Sequence, residues 1–109
     1  MRLEKEKVRI SKFYRIGYIN LIDKYVLACM ITGSSWYERF YVISKEEYSL
    51  SNDMIEQLDI LADKLRNLEV FGKRFIFSDL IEENTDEQIL LYKECKNRMR
   101  DISQSYEMF

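Results

Sequence analysis

At 109 residues the chain has the length of one domain, and its 47% apolar residues supply a core without a disulfide or metal staple. Seventeen basic and nineteen acidic side chains leave a net charge of −2, and no apolar run approaches the roughly 20 residues of a membrane-spanning helix. Histidine is absent, which removes the commonest proton carrier near neutral pH, His-bearing zinc sites and every Ser-His or Cys-His nucleophile pair.

The opening Met1-Arg2-Leu3-Glu4-Lys5-Glu6-Lys7 alternates charge where a secretory signal would build an apolar run. It reads as a solvated tail, on a protein that stays in the cytoplasm and has no use for a membrane. Arg2, Lys5, Lys7, Arg9, Lys12 and Arg15 invite phosphate binding, but Glu4 and Glu6 dilute the run and argue against a nucleic-acid partner. Residues 13–22 are rich in aromatic and β-branched side chains, which suit a strand. Asp23-Lys24 offers a turn, and residues 25–31 are apolar at both alternations, the pattern of a strand covered on two sides. After a loop at 32–35, residues 36–43 make a third strand, and the short connections favour an antiparallel meander.

Residues 45–50 read as a turn or one short helical turn, and Ser51-Asn52-Asp53 as the cap of a helix. In that helix Met54, Leu58, Leu61, Leu65 and Leu68 form one stripe, while Glu56, Asp59 and Asp63 fall opposite and Ile60 fits neither. Gly72 ends it, 73–78 reads as a fourth strand and 79–83 as a loop. Thr85 and Gln88 have the spacing of a reciprocal capping box for a second helix over 86–103. Leu91, Cys95, Met99, Ile102 and Tyr106 share that helix's apolar side. The expected fold is α+β: one domain over 1–109, an antiparallel sheet of about four strands with two amphipathic helices packed on it, in the order β-β-β-α-β-α.

No chemistry-bearing constellation emerges. Gly72-Lys73-Arg74 lacks the flanking residues of a phosphate loop, and Glu4-x-Glu6 and Glu46-Glu47 read as surface pairs. Cys29 and Cys95 have no metal or redox spacing and read as reduced, half-buried thiols. No catalytic residue, metal or cofactor is assigned, and the chain is not read as an enzyme.

Charge and aromatics, by contrast, are unevenly placed. Residues 46–63 carry six acids and no base, and residues 79–92 carry five more, again with no base. Tyr14, Tyr18, Tyr25, Trp36, Tyr37 and Tyr41 crowd the strands. With two helices on one face of the sheet, the other would show rings of the kind that dominate interfaces. Each feature has a plainer explanation: polar helix faces need charge, helix starts prefer acids, and both faces of a sheet are often covered.

In its small size, base-free acidic stretches and Tyr/Trp-rich strands, the chain resembles bacterial immunity proteins that neutralise contact-dependent and other polymorphic toxins. That resemblance implies a stoichiometric inhibitor bound to a cognate, basic toxin domain, such as a nuclease, with the toxin's active site masked. Glu82, Glu83, Asp86 and Glu87, with Glu46 and Glu47, would face the basic cleft, and Trp36 or Tyr37 would anchor it. Two alternatives stay open: a small acidic secretion-type chaperone, working as a homodimer, and a phage-encoded inhibitor of host defence.

Overall fold

The computed structural model describes residues 1–99 and 107–109. Among these residues it is an α+β fold built on a six-stranded sheet with three α-helices. Strands β1 (Glu4–Arg9), β2 (Tyr14–Ile19), β3 (Lys24–Ile31) and β4 (Tyr37–Ile43) follow one another as an antiparallel meander. Helices α1 (Lys45–Asp53) and α2 (Ile55–Leu68) lead to β5 (Phe75–Ser78), then come α3 (Asp86–Met99) and the short β6 (Glu107–Met108). The strand order is β5-β4-β3-β2-β1-β6, and β6 alone runs parallel to its neighbour.

Helices cover both faces of this sheet, which corrects the expectation of two helices on one face. Alternation along the strands sends Val26, Ala28 and Phe40 toward α3, where Tyr92, Cys95 and Met99 meet them. The intervening Leu27, Cys29 and Tyr41 turn toward α2 and pack on Leu58, Ala62 and Leu65. Because both faces are covered, Tyr14 (3% exposed) and Tyr41 (1%) are core residues, not display rings. The two cysteines lie fully buried on opposite faces.

The charged opening is a strand instead of a tail. Leu3 is fully buried, and the buried Glu6 carboxylate on β1 accepts a hydrogen bond from Arg15 on β2. Alternating charge here pairs across strands rather than dissolving into solvent. β1 also lies so close to β2 that only glycine fits at position 17. The expected strand at 13–22 is shorter at both ends. Turns of 3-10 helix at Ile10–Lys12 and Asn20–Ile22 close on the left-handed residues Phe13 (φ 59°) and Asp23 (φ 54°).

The helix signals were partly misplaced. Ser51-Asn52-Asp53 ends α1 instead of capping α2. The α1 cap is Ser44, whose hydroxyl accepts the Glu47 N–H while the Glu47 carboxylate accepts the Ser44 N–H. α2 has no side-chain cap, and Met54 and Leu68, at the ends of its stripe, are exposed. Asp59 does not face solvent: it lies about 100° round the helix from Leu58, turned toward β1 and β2. The Thr85–Gln88 box is present in both directions, 2.8 and 3.2 Å. The last predicted turn of the second helix, with Ile102 and Tyr106, lies outside the described residues. At the outer edge of β5 the Asn84 side chain accepts the Ser78 N–H (2.7 Å) and donates to the Ser78 carbonyl (2.8 Å), occupying the place of a neighbouring strand.

Candidate functional site

Register places three connections at one end of the sheet. Arg9 faces Tyr14, Ile31 faces Tyr37, and Arg39 faces Ser78. The turn at Ile10–Lys12, the loop at 32–36 and the segment at 79–85 therefore neighbour one another. Ile10 (58% exposed), Phe13 (53%) and Trp36 (65%) stand out of this end. With Val8 and Met30 they line a groove of about 240 Å³ on the α3 face, beyond the part of the sheet that α3 covers.

Phe13 is held there at a cost. A bulky side chain in the left-handed region is strained by roughly 1–3 kcal/mol. Its carbonyl is pinned by the Met30 N–H (2.9 Å) and by Arg66 Nη2 from α2 (3.1 Å), which also donates to the Lys12 carbonyl (3.3 Å). Beneath the groove lies a paired ionic cluster. Arg15 donates through Nε and Nη2 to both oxygens of Glu38 (2.8 and 2.9 Å) and through Nη1 to Glu6. Burial opposes the Arg15 charge, but its bonds and attraction to Glu38 and Glu6 outweigh that and hold its pKa above the ordinary value. Asp79, at the end of β5, accepts the Glu38 N–H (2.7 Å), and burial pushes its carboxyl pKa up.

Six of the eight sequence-predicted site residues lie at this end, in different roles. Trp36 is free on the groove rim. Tyr37 is half-buried and donates to Glu83 (3.1 Å), while Arg39 gives Glu83 two bonds, 2.9 and 2.6 Å. The Arg39 bonds hold the Glu83 carboxyl below its ordinary range. Glu83 is thus a structural anchor of the 79–85 segment and not an available charge. Glu82, Asp86 and Glu87 are exposed and form no ion pair with any described residue. Glu46 and Glu47 belong elsewhere: they start α1 beyond the far end of β4, roughly 20 Å of strand away. Glu47 is also engaged, accepting two bonds from Arg74 (2.7 and 3.0 Å) that hold its pKa down.

Sequence reasoning missed Ile10 and Phe13. Ile10 fell between the supposed tail and the first strand, and Phe13 was counted inside that strand. The polar Ser11-Lys12 break between two apolar runs was the available signal for a turn.

Among the described residues no helix is long and apolar enough to cross a membrane. No protein-family model matches the chain, and neither curated proteins nor solved structures give a match.

Proposed function

We propose that the protein is a stoichiometric protein-binding inhibitor of the immunity-protein kind, which docks a basic catalytic domain on the Phe13–Trp36 end of its sheet and masks that domain's active site. One observation carries the reading. Three large apolar side chains, each more than half exposed, surround a single groove, and three exposed acids lie on the adjoining turn and helix start. Clustered exposed apolar groups mark interaction sites, and Trp is enriched among residues that dominate binding energy. The groove supplies the desolvated anchor. Glu82, Asp86 and Glu87 steer a positively charged partner and set the association rate more than the residence time. Glu46 and Glu47 drop out of the interface.

The test is inhibition of a purified basic catalytic domain that the full-length chain captures from its native cells. The expected result is loss of activity at one equivalent. Trp36→Ala should weaken inhibition by roughly 30-fold or more, the scale of a 2 kcal/mol hot spot. Glu82→Lys with Glu87→Lys should slow association and reduce its salt dependence. A tight homodimer that buries Trp36, or inhibition indifferent to Trp36 and Phe13, would replace this reading with a chaperone-like one or another face.

A further inference from the structure

The groove adjoins a strand edge that carries a short segment of this same chain. Glu107 and Met108 pair in parallel with Lys7 and Val8 on the outer edge of β1, and the Phe109 N–H donates to the Val8 carbonyl (2.9 Å). Both strand residues are exposed. What holds the segment is the Phe109 ring, which meets Tyr14 edge-on (centroids 6.3 Å apart, 86°) under the Arg9 guanidinium at 5.9 Å.

That aromatic socket does not depend on its occupant. Arg9 donates to both oxygens of Asp59 (3.2 and 3.0 Å), and the Tyr14 hydroxyl donates to the same carboxylate (2.6 Å). An ion pair and a short hydrogen bond to α2 therefore fix both walls from behind. The socket lies on the α2 face and the groove on the α3 face, and the β1 edge joins them: Val8 lines the groove and has Met108 beside it in register, while the next residue, Phe109, turns to the socket. The edge is usable in one direction only. A β-bulge between Glu4 and Lys7, with Lys5 at φ 52°, disrupts the ladder toward the start of β1. A strand parallel to β1 can extend only past Arg9, over Ile10 and into the groove.

We propose that the β1 edge is where the partner's backbone engages: an extended partner segment bearing an aromatic residue adds parallel to β1 in place of Glu107–Phe109, seats its ring between Tyr14 and Arg9, and passes on into the groove. The resident segment shows what the edge accepts and acts as an internal competitor. In strand addition the main chain supplies affinity and alternate side chains supply specificity. The ladder ends at Arg9, so a longer guest gains over the resident segment through side chains laid over Ile10 and the groove. This rests on the docking reading for the identity of the guest.

The probe is a synthetic peptide copying residues 104–109, added to the full-length chain. Occupancy by the resident segment lowers apparent affinity by the fraction of chains left open. Phe109→Ala in the protein should therefore tighten peptide binding by about 10-fold or more, read from the fluorescence of Trp36, the single tryptophan. The same peptide with its own Phe replaced by Ala should bind neither chain. In the wild-type chain the Phe109 amide should exchange its hydrogen at least about 100-fold faster than amides of β2 and β3, a measurement that decides the matter alone if Phe109→Ala fails to fold. Equal peptide binding by both chains, no binding to the variant, or a Phe109 amide as protected as the central strands overturns the proposal. The docking reading is separable. Inhibition lost in Trp36→Ala while the peptide fails leaves docking standing without strand exchange, and the converse pair of results leaves the socket without the groove.

Discussion

Gly17→Ala should reverse the sign that alanine ordinarily has at such a position. Gly17 lies in the middle of β2, opposite Val26, and its φ is not in the left-handed region. Where the backbone allows it, replacing glycine by alanine stabilises by about 0.4–1 kcal/mol through the unfolded chain. Here the new Cβ would stand 2.4 Å from Leu3 Cβ and 2.8 Å from the Glu4 carbonyl oxygen. Neither is a flexible side-chain tip, so β1 itself must move by about 1 Å, and overpacking of this kind costs about 1–3 kcal/mol. The net expectation is a loss of about 1.3 kcal/mol, or roughly 5 °C in melting temperature for a domain of this size. Urea denaturation followed by circular dichroism measures it, with an unchanged slope showing that the native state stays compact. Leu3→Ala should not relieve the loss, because it keeps the Cβ that makes the closest contact. A Gly17→Ala chain as stable as wild type, or more so, would mean that β1 does not lie where the register puts it.

Glu83→Gln removes the charged partner of the buried Arg39 and should cost about 1–3 kcal/mol at pH 7 in chemical denaturation. Because Arg39 holds the Glu83 pKa below its ordinary value of 4.5, this contribution is complete above pH 4.5 and is lost as pH falls through the depressed value. The gap between wild type and variant should therefore narrow only below pH 4.5, and a pH-independent gap would refute the assignment. Thr85→Ala deletes one half of the α3 capping box and should cost about 1 kcal/mol, with the loss read as faster amide exchange in the first turn of α3. Burial pushes the Cys29 thiol up to about 12 and Cys95 up to about 11. A thiol reagent at pH 8 should react with both only as fast as the fold opens, accelerating in urea, and prompt native labelling of either would contradict its placement.

The α+β class and four of the six strands were legible because their signals are local. The continuous apolar run at 25–31 announced a strand covered twice, and Thr85 with Gln88 announced the start of α3. What stayed hidden depended on partners distant in sequence. The Glu-Lys alternation of β1 resembles a solvated tail until Arg15 is placed beside Glu6. Asp59 looks like a polar-face acid until Arg9 and Tyr14 are seen to require it. β6 is two residues long and has no pattern to read. For the site, the residues singled out from sequence include Trp36, Glu82, Asp86 and Glu87, which the fold leaves exposed. The sequence could not tell a spent carboxylate such as Glu83 or Glu47 from an available one, since that depends on which arginine the fold delivers. It also missed Phe13, whose exposure comes from a left-handed backbone angle and not from composition.

The side chain of Asn84 gives the sheet two unlike flanks. By satisfying both backbone groups of Ser78, a single amide closes the β5 side to any further strand at that point, whatever its sequence. On the opposite flank a piece of ordinary polypeptide does the closing, and polypeptide is replaceable where a fixed side chain is not. At Ser78 a fixed amide excludes lateral pairing, whereas beyond β1 the same task falls to a segment of main chain, which under the proposed exchange yields to a guest strand.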